Sequence, residues 1–371
     1  MSQASLQSVC VVGGSGFVGT RIISMLRDQN PAADLSVIDL RISKQLPPSS
    51  NIKYVAADIT DKQSISRILG QLKPQVLIHT ASPAQVGKTA PPKSAAALYQ
   101  NVNVNGTKNL LDVCQSIGVK AFVYCSSGSV LGDTDGILRG ADETTKGVPA
   151  DQQKDPYSRS KTEAETLVLE FNGTGGMLTC AIRPVGIFGE GDVQTIPGTI
   201  EAFRNGQAGY QLGNNDNIYD FTYVDNVAYG HVLAASALMR ESSGQADQSE
   251  AVDSRVQGEA FFINNDEPMY FWDFIRTIWI TAGYEPPTRP WIIGRETGMF
   301  IASLMTWIYW LMGKPPKIDK KTWSYAYMSR YCNSSKAKAR LGWRPLVGVK
   351  EGIQRTVKDF LEKEQRDLTT K

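Results

Sequence analysis

A tyrosine and a lysine, Tyr157 and Lys161, stand four residues apart in a segment of helical pattern. This spacing places both side chains on one face of a helix. A tyrosine hydroxyl has a pKa of about 10 and is a poor base at neutral pH, but a nearby ammonium stabilises the phenolate and lowers that pKa. We therefore predict that Tyr157 can remove a proton from an alcohol while a hydride leaves the same carbon. The alternative is an exposed helical pair without chemistry, because this spacing is also frequent by chance.

Three serines follow residues 121–125, an apolar run with the pattern of a buried strand: Ser126, Ser127 and Ser129. In parallel sheets, ligands bind beyond the carboxyl ends of the strands. A hydroxyl group at that position can orient the oxygen of a substrate. The alternative is that these serines only cap the end of the strand.

A glycine-rich motif follows the first apolar run directly and opens a helical pattern. Its glycines allow a tight turn and a close approach of the backbone to a pyrophosphate, while the start of the helix supplies N–H donors. The order of strand, motif and helix is the one that dinucleotide binding requires. The cofactor-binding residues predicted from this motif are Gly13, Gly16, Phe17, Val18 and Gly19.

Two acidic positions follow the next strands. Asp39 lies 20 residues after Gly19, at the end of the second predicted strand, where a carboxylate can accept hydrogen bonds from the adenosine ribose. A carboxylate repels a 2′-phosphate, so NAD is favoured as the cofactor, although the neighbouring Arg41 leaves NADP open. Asp58 and Ile59, at the end of the third strand, are predicted to contact the adenine.

Short apolar runs alternate with longer segments of helical period in the first half of the chain. Near-continuous apolar strands that alternate with helices are typical of a parallel sheet covered on both faces. The predicted fold class is α/β, a doubly wound parallel sheet with a smaller, mostly helical C-terminal lobe. The predicted strands are 9–12, 35–40, 53–57, 76–78, 121–125, 178–182 and 261–263, and the predicted helices include 96–117, 157–171, 199–205 and 227–239.

We expect a dinucleotide-binding core at residues 1–190, to which residues 220–265 return. Residues 191–219 and 266–371 are then the substrate lobe. Within this lobe, residues 298–313 are almost entirely apolar, but the run is shorter than the roughly 20 residues that a bilayer span needs. Three interpretations stay open: a buried helix, a membrane-surface helix with Trp and Tyr at the interface, or the wall of an apolar substrate pocket.

The composition excludes several classes of function. With 39 basic and 37 acidic residues the net charge is +2, so no basic surface for nucleic acid is indicated. The five cysteines have no CxxC spacing and three of them lie in apolar runs, which predicts reduced, buried thiols. With two distant histidines we expect no metal site. The first eight residues do not have the pattern of a signal peptide.

Taken together, these motifs resemble the extended short-chain dehydrogenase/reductase superfamily, over about residues 8–265. The resemblance implies that Asn103, within the helix motif at 102–107, positions the lysine. It also implies that Ala81 and Pro184 contact the cofactor. The residues that carry the resemblance are Gly13, Gly16, Gly19, Asp39, Asp58, Asn103, Ser126, Ser127, Tyr157 and Lys161.

Further motifs resemble the 3β-hydroxysteroid dehydrogenase branch, which includes sterol-4α-carboxylate 3-dehydrogenases. They lie at residues 220–226, 262–268 and 341–345. This resemblance implies oxidation of a 3β-hydroxyl on a sterol or triterpenoid-like substrate, with loss of a C4 carboxylate where one is present. Aligning residues 130–132 with the usual V-x-G pattern of the family favours Ser127 as the catalytic serine.

Alternatives remain on the same scaffold. One is a sugar-nucleotide epimerase or dehydratase, another is a tailoring dehydrogenase of terpenoid metabolism, and a third is a non-enzymatic cofactor sensor. We expect a hydrophobic small-molecule substrate and no nucleic acid, with peripheral membrane contact through residues 298–313 and a homodimer both left open. The expected location is the cytosol or the cytoplasmic face of an internal membrane, the endoplasmic reticulum in a eukaryote.

Overall fold

The structure is a computed structural model that describes residues 6–42, 51–83, 92–132, 138–244, 254–312 and 320–369. The strands are β1 (Ser8–Val12), β2 (Asp34–Asp39), β3 (Ile52–Ala56), β4 (Val76–His79), β5 (Ala121–Cys125), β6 (Leu138–Ala141), β7 (Leu178–Pro184), β8 (Ile187–Phe188), β9 (Tyr210–Leu212), β10 (Ile218–Tyr219), β11 (Thr222–Tyr223), β12 (Glu259–Ile263), β13 (Met269–Tyr270), β14 (Trp291–Ile293) and β15 (Arg330–Cys332). The α-helices are α1 (Phe17–Gln29), α2 (Lys62–Leu72), α3 (Pro92–Tyr99), α4 (Thr107–Ile117), α5 (Pro156–Glu170), α6 (Thr195–Arg204), α7 (Val224–Ser242), α8 (Phe271–Thr281), α9 (Arg295–Leu311), α10 (Lys320–Tyr325), α11 (Ser335–Leu341) and α12 (Val349–Thr369).

Seven strands form one parallel sheet in the order β12-β7-β5-β4-β1-β2-β3. The chain moves outward from β1 to β3 and then crosses back to β4 on the other side of β1. Such a reversal of strand order opens a crevice at the carboxyl ends of the strands, which is where doubly wound sheets bind their ligands. The predicted α/β fold is confirmed, and each of the seven predicted sheet strands is present.

Helices cover both faces of this sheet, because the side chains of each strand alternate between two cores. Val9 and Val11 of β1 face a core built with α1 and α7. Cys10 and Val12 face the opposite core, built with α2, α4 and α5. Burial on both faces explains why the strands are apolar throughout instead of alternating. All five cysteines are buried and free, including the three whose apolar runs predicted it.

The long helix predicted at residues 96–117 is interrupted. Helices α3 and α4 are joined without a break in the chain by a π-helical segment, Gln100–Gly106. A π-helix is an uncommon conformation that concentrates at functional sites. It carries Asn103, which is fully buried.

The C-terminal region is mostly helical, as predicted, and has its own apolar core. Helices α6, α8 and α12 contribute Ile196, Ile278 and Ile353 to that core, and Phe188 and Tyr223 close it towards the sheet. Small sheets accompany the helices: a four-stranded one in the order β13-β10-β15-β6, and the parallel pairs β8–β11 and β9–β14. The division of the chain at residues 190, 220 and 265 stays a prediction.

Helix α9 covers most of the apolar segment 298–313. Most of its large apolar side chains face outward, and Phe300 and Trp307 are 69% and 58% exposed. Among the described side chains of this helix, that of Ala302 is the one that is fully buried. A buried helix is therefore the wrong interpretation for this segment in the single chain. Within the described residues, no helix combines the length and apolarity needed to cross a membrane.

Candidate active site

The glycine motif forms a tight backbone cradle between β1 and α1. Gly13 has a φ of +83°, and a Cβ atom there would lie 2.4 Å from the backbone nitrogen of Ala81. A Cβ atom on Gly19 would lie 2.1 Å from the carbonyl oxygen of Gly13. Both positions therefore exclude any side chain, and the packing of α1 against the end of β1 depends on them.

Helix α1 begins near the carboxyl end of β1. Its first backbone amides, including those of Phe17 and Val18, lie at the N-terminal end of the helix, where no side chain caps them. Its N-terminal cap residue is Gly16, which has no side-chain acceptor for them, and its first turn carries no acidic residue. Unpaired N–H groups and the helix dipole at such an end favour an anion. The residues present therefore fit the pyrophosphate of a dinucleotide.

The carboxylate of Asp39 lies beside this cradle. It is the last residue of β2, and its Oδ2 atom accepts a hydrogen bond of 3.0 Å from the backbone N–H of Ser15. This places a negative charge at the edge of the glycine motif, where it can meet ribose hydroxyls. Asp58 instead accepts from the N–H and hydroxyl of Thr60, and Ile59 packs close to Gly106, so their adenine contact stays a prediction.

Tyr157 lies in the first turn of α5, next to the end of β5. Asp155 caps this helix by accepting a hydrogen bond of 3.0 Å from the N–H of Ser158. Pro156 fits the first turn because the backbone N–H that proline lacks would have no partner within the helix there. The Ser127 hydroxyl hydrogen-bonds with the Tyr157 hydroxyl and accepts from the N–H of Ser129 at 3.1 Å. The structure therefore brings together the two hydroxyl groups that the sequence predicted, and Ser127 is the serine that pairs with the tyrosine.

Lys161 is 2% exposed, and its ammonium donates a hydrogen bond of 2.8 Å to the carbonyl oxygen of Cys125. The same ammonium lies 4.8 Å from the centre of the Tyr124 ring. Burial lowers the pKa of Lys161, and burial raises the pKa of Tyr157, although the Ser127 hydrogen bond opposes that rise. The predicted lowering of the tyrosine pKa is therefore not seen in the protein alone, where burial of the hydroxyl is the largest influence and only the Ser127 hydrogen bond acts against it.

In the described contacts, Asn103 does not reach the Lys161 ammonium directly. It contacts helix α5 through Ser160 instead. Its Nδ2 group donates to the Ser160 hydroxyl at 2.9 Å, and that hydroxyl donates to the backbone carbonyl of Tyr157 at 2.8 Å. Two consecutive hydrogen bonds thus link the π-helical segment to the first turn of α5. The described contacts join Asn103 to Lys161 only through this shared helix, and the positioning of Lys161 that the resemblance implies stays a prediction.

Several residues that position the site were not predicted from the sequence. His79 at the end of β4 bonds with the Thr107 hydroxyl at 3.0 Å, and that hydroxyl donates to the Asn103 carbonyl. Burial lowers the pKa of His79 to about 3, so its ring is neutral. Arg330 on β15 donates to the Gly128 carbonyl at 3.1 Å and so supports the turn after Ser127. In the sequence, His79 has one signal of a role in the site, which is its position at a strand end. Arg330 has no such signal, because its partner Gly128 is 202 residues away.

The two remaining predicted cofactor residues lie at the carboxyl ends of neighbouring strands. Ala81 follows β4 and its N–H donates to the carbonyl of Val12 at 3.1 Å. Pro184 ends β7, and its carbonyl oxygen lies near Gly128, 3.6 Å from where a Cβ atom would be. Both residues therefore border the crevice that the glycine cradle and the Tyr157–Ser127 pair also border.

A sequence profile of the 3-beta hydroxysteroid dehydrogenase/isomerase family matches residues 10–292, which is most of the chain. The chain belongs to this family. The span shared with the family contains the glycine cradle, the π-helical segment and the Tyr157–Lys161 pair, so the whole candidate site lies inside it.

Relatives within and around the 3-beta hydroxysteroid dehydrogenase/isomerase family agree with this assignment. The decarboxylating sterol-4-alpha-carboxylate 3-dehydrogenase of Saccharomyces cerevisiae is 35% identical over 361 residues, which cover 95% of this chain and 98% of that protein. The human enzyme of the same name is 31% identical over 364 residues, covering 97% and 90%. The solved UDP-glucose 4-epimerase of Thermus thermophilus, in complex with NAD, superposes with a TM-score of 0.67 at 22% identity, covering 95% and 98%. That last likeness shows a shared fold.

Proposed function

We propose that this protein is an NAD-dependent dehydrogenase that oxidises the 3β-hydroxyl of a sterol-like substrate and releases a C4 carboxylate as carbon dioxide. The observation that carries the proposal is the hydrogen-bonded pair of Ser127 and Tyr157, placed beyond the strand ends beside a glycine cradle. Family membership and the names of the sterol-4-alpha-carboxylate 3-dehydrogenases that the chain resembles support the substrate class.

The residues of the chain divide the work of alcohol oxidation. Ser127 is proposed to hold the oxygen of the substrate alcohol, and Tyr157 to take its proton. Lys161, already buried beside the same strand end, supplies the positive charge and a donor for a ribose hydroxyl. Asn103 and Ser160 fix the turn that carries the tyrosine. General-base catalysis of this kind contributes about 10²–10⁴-fold to a rate.

The glycine cradle, the open start of α1 and Asp39 are proposed to hold NAD. When bound, NAD supplies a hydride acceptor and the positive charge of its oxidised ring. A cation beside Tyr157 favours the phenolate, which opposes the effect of burial on the pKa of this residue. Asp39 favours NAD over NADP because its carboxylate repels a 2′-phosphate.

Loss of carbon dioxide follows from the chemistry of the product. Oxidation at C3 of a substrate with a C4 carboxylate creates a β-keto acid. When the bond between C4 and the carboxylate breaks, its electron pair moves into the ketone to form an enolate. This step needs no further catalytic side chain, and a proton from solvent then restores the ketone.

We also propose that α9 contacts a membrane surface from which an apolar substrate is taken. Its outward side chains include Phe300, Leu304 and Trp307, and Trp291 of β14, the strand that precedes this helix, is also exposed. Apolar faces that carry aromatic residues are typical of helices lying in the membrane interface. The cytoplasmic face of an internal membrane is the proposed location.

The function is tested by following NADH formation with a panel of candidate substrates. The panel contains 3β-hydroxysterols with and without a 4α-carboxylate, together with UDP-glucose as the substrate of the rival sugar-nucleotide class. We expect NADH, the 3-ketone and carbon dioxide from the carboxylated sterol. Conversion of UDP-glucose without sterol turnover would contradict the proposed substrate class and leave the fold and family unchanged.

A further inference from the structure

A loop between β8 and α6 is held in place by an ionic cluster. The loop, residues 189–192, contains Gly189 and Gly191 with φ angles of +152° and +94°, which a side chain rarely adopts. Within the loop, the Asp192 N–H donates to the Gly189 carbonyl at 2.9 Å, but the position of the loop relative to α1 depends on contacts from elsewhere. The residue between these glycines, Glu190, provides them.

Glu190 binds two groups from distant parts of the chain. Its Oε2 atom accepts a hydrogen bond of 2.7 Å from the Arg21 guanidinium and one of 2.5 Å from the Tyr223 hydroxyl. The side chains of Arg21 and Glu190 are 27% and 23% exposed, so the ion pair is partly shielded from water. Charge-assisted hydrogen bonds in such surroundings are stronger than ion pairs on the open surface.

Arg21 lies on α1, two residues after the last glycine of the cradle. Its Nε atom lies 2.9 Å from a carboxylate oxygen of Asp225, at the start of α7. One guanidinium thus connects the helix of the glycine motif with the loop and with the start of another helix. Gly191, which follows Glu190, lies against Phe17. A Cβ atom placed on Gly191 would be 3.7 Å from the Phe17 ring.

The cluster also reaches the C-terminal helix. Tyr223 hydrogen-bonds with Arg355 of α12 as well as with Glu190, and its ring packs so closely on α12 that a Cβ atom on Gly352 would lie 2.7 Å away. The glycine cradle, the loop and the C-terminal helix are therefore joined by consecutive polar contacts through a single carboxylate.

From this geometry we propose that Arg21 and Glu190 are positioning residues that hold loop 189–192 against the start of α1 and thereby set the affinity for the dinucleotide. The inference rests on the proposed function, since it takes the glycine cradle as the cofactor site. Neither residue is proposed to take part in proton transfer, because their contacts lie with α1, α7 and Tyr223. Their loss is therefore expected to change cofactor binding and KM for NAD, with kcat at saturating NAD retained.

The test is a double-mutant cycle with Arg21→Met, Glu190→Gln and the double variant, read out as the Kd for NADH by fluorescence. Each single change is expected to raise the Kd about tenfold, and the double variant no more than about either single one, because both remove the same contact. Arg204→Met, which breaks the separate ion pair with Glu364, is the matched control and should leave the Kd unchanged. Arg21→Lys keeps the charge but cannot reach both carboxylates equally, so an intermediate Kd is expected.

The outcomes separate this inference from the proposed function. Variants that lower the melting temperature but bind NADH with the wild-type Kd would overturn the inference, as would fully additive effects on the Kd. If Arg21→Met does not fold, the same criteria apply to Arg21→Lys. Wild-type protein that binds no NADH would overturn the proposed function together with the inference.

Discussion

At the scale of single residues, the site depends on a balance between burial and hydrogen bonding. Tyr157 is the proposed base, and its pKa is raised by burial and lowered by the Ser127 hydrogen bond. Lys161 uses one of its three donors on the Cys125 carbonyl. Among the described residues the other two donors have no hydrogen-bond partner, so we expect them to serve a ligand. The proposed activation of Tyr157 then belongs to the complex with NAD rather than to the protein alone.

Removal of the Tyr157 hydroxyl tests the proposed base. Tyr157→Phe should lower kcat by about 10²–10⁴-fold because no other group in contact with Ser127 among the described residues can take the proton. Binding of NADH, measured by fluorescence, should change little. Tyr210→Phe, at an exposed tyrosine of β9, is the control. A Tyr157→Phe variant that retains wild-type kcat would contradict the assignment.

Asp39 is proposed to set the preference of the protein for NAD over NADP. Asp39→Asn keeps an acceptor for the Ser15 N–H but removes the charge, so the preference for NAD over NADP should fall by about tenfold, as expected for one charged hydrogen bond. The ratio of kcat/KM for the two cofactors measures this. Asp34→Asn, at the exposed start of the same strand, should leave the ratio unchanged. An unchanged ratio in Asp39→Asn would count against the ribose role.

At the scale of elements, the seven strands of the main sheet were predictable and the short strands were not. Strands such as β5 are apolar throughout because both faces are covered, and that pattern is visible in the sequence. Each strand of the pairs β8–β11 and β10–β13 has two residues, and each is a strand only because it pairs with its neighbour. Likewise, helix α6 starts at Thr195, before the predicted residue 199, because Asp192 accepts from the first amides of the helix.

The π-helical segment shows the same limit for a site residue. Its sequence predicts one long helix, since nothing in the local pattern distinguishes a π turn from an α turn. The bonds from Asn103 to Ser160, 57 residues away, and from Thr107 to His79 define its surroundings. Residue types and spacing therefore predicted Tyr157, Lys161 and the glycines, while tertiary contacts were needed for the residues that position them.

The packing of α1 against β1 predicts a strong effect of a small substitution. Gly19→Ala places a Cβ atom 2.1 Å from the Gly13 carbonyl and should destabilise the fold by about 1–3 kcal/mol while weakening NADH binding. The matched control is Gly70→Ala in α2, where no atom lies within 4 Å of the added Cβ. That change should be neutral or stabilising by up to about 1 kcal/mol. Equal stability and NADH affinity in the two variants would contradict the cradle geometry.

The exposed face of α9 predicts binding to vesicles. The double variant Phe300→Ser and Trp307→Ser removes two large apolar side chains, which should weaken cosedimentation with phospholipid vesicles by tenfold or more, at roughly 1.5–3 kcal/mol for each side chain. Leu368→Ser, at a 72% exposed position on α12, is the control. Wild-type protein that does not sediment with vesicles would contradict the proposed contact.

At the scale of the whole molecule, a buried carboxylate joins the main sheet to the C-terminal region. Asp220 is 1% exposed, and its Oδ2 atom accepts from the Cys332 N–H at 2.7 Å and from Asn264 at 3.1 Å. These partners lie on β15 and directly after β12. The carboxylate thereby links three segments that are far apart in the sequence.

This carboxylate gives the folding stability a defined pH dependence. Burial raises the pKa of Asp220 to about 6, above its value in the unfolded chain. The folded state therefore binds a proton that the unfolded state has released, so this contribution to stability is present below about pH 4 and is lost as pH rises through 6. The free energy of unfolding of Asp220→Asn, relative to wild type, should increase by about 2–3 kcal/mol between pH 4 and pH 7.

Chemical denaturation at several pH values measures this difference. Asp151→Asn, at an exposed position, should show a constant difference from wild type across the same range. A constant difference for Asp220→Asn as well would show that the carboxylate is ionised in the folded protein throughout.

In the proposed reaction, a hydride leaves C3 of a sterol while Tyr157 takes the proton of its hydroxyl. This is tested by incubating the wild-type protein with NAD and a 4α-carboxysterol deuterated at C3, followed by mass spectrometry of the cofactor and the sterol. We expect one deuterium in the reduced cofactor and a 3-ketone that has lost carbon dioxide. Reduced cofactor without deuterium, or a sterol that keeps its C3 label, would contradict it.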